Sequence, residues 1–137
     1  MNRPIKVMLI DDDPGIHESL RAVIEEAGYE FCGALGGREG LRLLDDERPD
    51  LLLLDVMMPG MNGQTFMQER KNDPRILNIP VLIITADDTT EQQVLTMELG
   101  ASDYIVKPFI PEIVTRRVQN VWDSTRRKKE VLQEHQK

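Results

Sequence analysis

PDLLLLDVMMPGMNG, residues 49–63, holds four consecutive leucines that run straight into one carboxylate, Asp55, and then into turn residues. A short unbroken apolar run bounded by Pro49 and the turn around Gly60 predicts a strand buried on both faces, as in a parallel sheet. Asp55 then stands where that strand ends, and open α/β sheets place their ligands at the carboxyl ends of strands. An Asp after a strand is also an ordinary turn former, so this stretch alone leaves both readings open.

Outward from it, the pattern repeats. Ile5 to Ile10, interrupted by Lys6, predicts a first strand ending in Asp11, Asp12 and Asp13. Asp13 has the place of an N-cap before Pro14, and Gly15 to Ala27 carries Ile16, Leu20, Val23, Ile24 and Ala27 at helical spacing until Gly28. Tyr29 to Ala34 is a weaker strand whose Glu30 suggests the sheet edge. Gly36 to Glu47 reads as a second helix with Leu41, Leu43 and Leu44 inward. On the other side, Gly63 to Asn72 is a short helix with Phe66, Met67 and Thr65 facing in. Val81 to Thr85 is the fourth strand, and Thr89 and Gln92 have capping-box spacing for a helix from Thr90 to Leu99. Ser102 to Lys107 is the fifth strand, and Pro111 opens the last helix. The alternation predicts a flavodoxin-like, doubly wound, five-stranded parallel sheet in the order 2-1-3-4-5 with five helices, the last one extended.

The bulk properties narrow the class. The 137 residues suffice for one domain with a real core, and 40% hydrophobic with 30% charged is an ordinary globular composition. No apolar run approaches the roughly 20 residues that span a bilayer, and the acidic end of the first apolar run does not suit a signal peptide. A lone cysteine, Cys32, excludes an internal disulfide and a cysteine-cluster metal site, and points to a reducing cytoplasm. The net charge of −7 is uneven: residues 126–137 carry five cations against Glu130 and Glu134, over an acidic body. That body disfavours direct nucleic-acid binding, and the basic tail reads as a solvated helix face.

Reactive residue types recur at strand ends: Asp11 and Asp12, Asp55, Thr85, and Lys107. In the order 2-1-3-4-5 the first and third strands meet at the switch point, so the three carboxylates crowd together and need a cation among them. Hard oxygen ligands suit Mg²⁺. Asp55 is then a nucleophile able to form an aspartyl phosphate, with Lys107 as a point charge and Thr85 as a hydroxyl donor to the phosphoryl oxygens.

The segments LIDDDP, LLLLDVMMPGMNG, IITA and DYIVKPF, in this order and spacing, resemble the CheY-like receiver domain of two-component response regulators over about residues 4 to 122. The resemblance implies a phosphorelay switch that takes a phosphoryl group from a sensor histidine kinase or phosphotransfer protein. It implies Asp55 as phosphoacceptor, and Mg²⁺ or Mn²⁺ held by Asp11, Asp12, Asp55 and the Met57 backbone carbonyl, with Asp12 the more direct ligand. It further implies Thr85 and Tyr104 as the switch pair, Lys107 as the phosphate sensor, and a cis bond before Pro108. Met57 and Asp87 stand where side chains tune phosphate lifetime. Ile110, where relatives often have a cap, is expected as an exposed contact for a partner, and phosphorylation is expected to change the face of helix 4, strand 5 and helix 5, a surface that could pair two copies.

Plainer readings stand beside these: Met57 and Met58 as core or turn residues, Tyr104 as a half-buried ring, Cys32 as a small core residue, His17 and His135 as surface residues. A phosphatase would need a cap or pocket that these short loops lack. A phosphate-independent module would be expected to lose Asp55 or Lys107, and both are present. The division expected is 1–124 as receiver and 125–137 as helical extension. Val114, Val118, Val121, Thr125, Lys128, Leu132 and His135 trace a heptad seam that weakens at Thr125 and Lys128. A dimeric coil and a connector to an absent output domain both remain open for it.

Overall fold

The computed structural model describes residues 4–57, 62–87 and 89–135, with side chains placed as far as residue 127. The chain alternates β1 (Lys6–Ile10), α1 (Pro14–Glu26), β2 (Glu30–Ala34), α2 (Gly37–Glu47), β3 (Leu51–Asp55), α3 (Gly63–Lys71), β4 (Val81–Thr85), α4 (Thr90–Glu98), β5 (Asp103–Val106) and α5 (Pro111–His135). All strand pairs are parallel and the order is β2-β1-β3-β4-β5, as the alternation predicts.

The leucine run is the reason the sheet is sandwiched. Leu51 to Leu54 are all inaccessible to solvent, and a strand's side chains alternate between faces, so this is possible only with cover on both sides. Leu51 and Leu53 pack with Leu20 and Ile24 of α1 and Val114, Val118 and Val121 of α5. Leu52 and Leu54 pack with Leu44 of α2 and Phe66 and Met67 of α3. Each such side chain contributes about 1.5–3 kcal/mol relative to exposure.

Local signals set the helix ends. Asp13 accepts from the Gly15 N–H at 2.9 Å, with Pro14 in the first turn, and Thr89 accepts from the Gln92 N–H. Gly28 and Gly100 take left-handed φ values of 92° and 90° just past α1 and α4, where a Cβ would be strained. Arg48 adopts the same conformation (φ 47°) after α2, an end that composition did not announce.

Several expectations need correction. Ala27 is exposed because α1 ends at Glu26, which leaves Ala27 as its C-cap rather than as an inward-facing helical residue. Thr65 is exposed because α3 turns only Phe66 and Met67, with Gly63, inward. Met57 is 77% exposed and is no core residue, while Met58 lies outside the described residues. His17 is half-buried, its ring lying against β2. Val114, Val118 and Val121, the start of the heptad seam, are buried on the sheet; the side chains of Lys128, Leu132 and His135 lie outside the described residues. Cys32 is half-buried on the edge strand beside the core, and burial first, with Glu47 nearby, pushes its thiol up to about 12. Among the described residues no helix is long and apolar enough to cross a membrane.

Candidate functional site

The sheet delivers four side chains to one end. Asp11 follows β1 directly, and its N–H donates to the Ala34 carbonyl, extending the ladder by one residue. Asp55 closes β3, and both carboxylates are buried, at 0% and 5% exposure. Lys107 follows β5, fastened by its N–H to the Thr85 carbonyl at 2.7 Å; the Lys107–Pro108 bond is cis. The lysine Nζ lies 3.1 Å from Asp11 Oδ2 and 3.5 Å from Asp55 Oδ2. Asp12 is exposed, yet one oxygen from each of Asp11, Asp12 and Asp55 lies within 4.8 Å of the others. These groups line an open cavity of about 540 Å³ together with Met57 and Ala86.

The electrostatics suit an incoming cation. Three carboxylates face one ammonium, which leaves negative charge uncompensated in a partly buried cleft. Burial raises the Asp55 pKa above the ordinary carboxylate value, and the Asp11 charge adds to this; the Met57 N–H, 3.0 Å from Oδ1, and Lys107 pull the other way. Burial opposes the charge on Lys107, but the bond and charge of Asp11, then of Asp55, leave its pKa raised on balance. The donor set, all carboxylate oxygen, fits a hard divalent cation.

The sequence model for the response regulator receiver domain matches residues 7–119. The chain belongs to this family. The receiver is 37% identical over 116 residues to the alkaline phosphatase synthesis transcriptional regulatory protein PhoP of Bacillus subtilis, a match covering 85% of this chain and 48% of that protein. To the phosphate regulon transcriptional regulatory protein PhoB of Pseudomonas aeruginosa it is 34% identical, over 84% of this chain and 50% of that one. The receiver thus spans about half the length of these curated relatives. Among solved structures it resembles a putative response regulator from Chloroflexus aurantiacus (TM-score 0.83, 34% identity, 88% of this chain and 99% of that one). It also resembles the chemotaxis protein CheY4 of Vibrio cholerae (TM-score 0.81, 31% identity, 87% and 99%).

Not every expected residue of the receiver joins the carboxylate cluster. Thr85 is buried at the end of β4, but its hydroxyl is engaged by its own loop, accepting from the Asp87 N–H at 3.0 Å and facing the Asp87 carbonyl at 3.3 Å. Asp87 in turn caps the Thr89 N–H at 2.9 Å, which lowers its pKa. Tyr104 is half-buried on β5, its ring 5.4 Å from the guanidinium of Arg117, which also pairs with Asp103 at 2.9 Å. Sequence reasoning missed His17, whose Nε2 lies 2.7 Å from the Asp11 carbonyl oxygen. The signal available for it was Gly33, a glycine in the middle of a strand.

Proposed function

We propose that this receiver is a phosphorylation switch in which Asp55 accepts a phosphoryl group from the phosphohistidine of a sensor kinase or phosphotransfer protein. The observation that carries the reading is the buried Asp55 carboxylate at the end of β3, with Lys107 Nζ at 3.5 Å and two further carboxylates converging on it. An Asp55 oxygen attacks phosphorus, forming a new O–P bond while the bond from phosphorus to the imidazole nitrogen breaks, and the imidazole leaves with the electron pair. With acetyl phosphate the leaving group is acetate. Asp11, Asp12, Asp55 and the Met57 carbonyl are the groups proposed to hold Mg²⁺ or Mn²⁺. When bound, the cation supplies positive charge to the phosphoryl oxygens. Lys107 would add a second positive charge to those oxygens, and the Met57 N–H orients Asp55.

The response is proposed to run through β4 and β5. A phosphoryl group on Asp55 gives the Thr85 hydroxyl a stronger acceptor than the Asp87 carbonyl, and Tyr104 turns inward as Thr85 leaves. That shift reshapes the face of α4, β5 and α5, which exposes Val94, Met97, Ile110 and Ile113 and offers a surface for a second copy or for an output domain. Residues 1–124 form the switch in this reading and 125–137 the helical extension of α5. The switch does no chemistry on other molecules beyond gaining and losing its own phosphoryl group, and it works in the cytoplasm.

The test is intact mass after incubation with Mg²⁺ and acetyl phosphate. Wild type is expected to gain one phosphoryl group that is labile to base and requires Mg²⁺; Asp55→Ala is expected to gain none. An unlabelled wild type, under conditions that label a control receiver, overturns the reading.

A further inference from the structure

Gly33 lies in the interior of β2, where a glycine weakens a strand and packs nothing. Its backbone has no need of a left-handed conformation, since the described positive φ values belong to Gly28, Gly100 and Arg48. What Gly33 provides is room. A Cβ there would come within 2.4 Å of Nδ1 and 2.7 Å of Cε1 of His17, so the imidazole lies directly against the strand backbone. Phe31, on the same strand, meets the ring edge to face, with centroids 6.3 Å apart at 85°, and the Arg21 guanidinium sits 4.9 Å over Phe31. The other ring nitrogen, Nε2, is 2.7 Å from the Asp11 carbonyl oxygen. A carbonyl only accepts, so Nε2 carries the hydrogen and donates it.

We propose that His17 is a positioning residue of the cation site, and that Gly33 exists to seat it. The proposal rests on reading the carboxylate cluster as a divalent-cation site. Asp11 is held on every side: its N–H by the Ala34 carbonyl, Oδ1 by the Asp13 N–H at 2.9 Å, Oδ2 by Lys107, and its carbonyl by His17. The last bond matters most for Asp12. The Asp11 carbonyl and the Asp12 nitrogen belong to one rigid peptide plane, so fixing that oxygen fixes the direction in which Asp12 leaves the sheet. Asp12 is exposed, beyond the end of β1. Mg²⁺ demands near-ideal octahedral geometry, and partners that orient its ligands typically govern affinity 10–100-fold.

Calorimetric titration of the unphosphorylated protein with MgCl₂ reads the metal alone. His17→Ala is expected to raise the Mg²⁺ Kd about tenfold, and His17→Gln, which returns an N–H donor at similar reach, to recover most of the loss. Gly33→Ala pushes the ring aside and is expected to weaken Mg²⁺ comparably. In the His17→Ala background both contacts under 3 Å are gone, the next nearest, Phe31, lies at an ordinary 3.5 Å, and the same methyl is expected to change nothing. Such non-additivity would not arise from a general loss of packing. Should His17→Ala fail to fold, adding His17→Gln to Gly33→Ala makes the same comparison, since the flexible amide tolerates the methyl and restores binding. A His17→Ala Kd within about twofold of wild type, a Gly33→Ala effect that persists without the imidazole, or no recovery with Gln overturns the role of His17. A wild type that takes up no Mg²⁺ instead overturns the cation-site reading beneath it.

Discussion

The two sides of the carboxylate cleft are built differently. On the β1–α1 side, Asp11 has a partner for each polar group, Asp13 caps the helix, and α1 buries Leu20 and Ile24 against the sheet. On the β4–α4 side, the Thr85 hydroxyl is tied, among the described residues, to its own loop alone, and the one fully buried residue of α4 is Thr96. Among the described residues the Thr96 hydroxyl is buried without a partner, while Val94 and Met97 of the same helix face solvent at 50% and 60% exposure. A segment with few buried apolar contacts opens at lower free energy than one anchored in the core. The fixed side is suited to holding ligands in place, and the loosely attached side to answering what happens there.

The contrast can be broken most sharply by truncation. Leu20→Ala in α1 is expected to cost about 2–5 kcal/mol in urea unfolding; a cost below 1 kcal/mol would show that α1 is no better anchored than α4. Thr96→Val should do the opposite on the loose side, stabilising by about 1 kcal/mol because a buried hydroxyl without a partner is replaced by a methyl. The same variant is expected to slow amide hydrogen exchange in α4 while leaving α1 unchanged. If α4 already exchanges as slowly as α1 in wild type, the two sides are not distinct.

Asp55, on β3, lies between the two sides. Its carboxyl pKa is raised by burial and by Asp11, so without a cation the folded protein holds that proton to higher pH than the unfolded chain does. The stability Asp55 contributes is therefore present below the ordinary carboxylate pKa and lost as pH rises through the raised folded value. Asp55→Asn is expected to flatten that part of the stability–pH curve and to be more stable than metal-free wild type at neutral pH. Added Mg²⁺ should close the gap from the wild-type side. The smallest effect is expected at Val94→Ala, within about 0.5 kcal/mol of wild type, since the side chain is half in water. A larger loss would mean that α4 is covered in solution.

Much of this arrangement was legible in the sequence because the deciding signals are local. A buried strand announces itself by four leucines, a helix start by Asp13–Pro14 or by Thr89 with Gln92, and a helix stop by Gly28 or Gly100. The order of the sheet then follows from alternation and handedness, and it brings Asp11, Asp12, Asp55 and Lys107 together without further information. What sequence could not supply were contacts that depend on how elements lie across one another. His17 reads as surface until β2 is known to pass beside α1 with a glycine at that level. The heptad spacing in α5 reads as the seam of a dimeric coil or as a connecting helix until Val114, Val118 and Val121 are seen on the sheet. Periodicity names a buried face, but not what buries it.

Cys32 has a further consequence. With its thiol pushed up to about 12 and half-buried at the edge strand, almost none of it is thiolate at neutral pH, and thiolate is the form that reacts with electrophiles and oxidants. Cys32 is expected to react slowly with a maleimide or a peroxide. A cysteine introduced on the exposed surface of α4 would therefore be labelled ahead of the native one. A displacement of that helix on phosphorylation is then expected to be readable from a single probe with no other change to the chain.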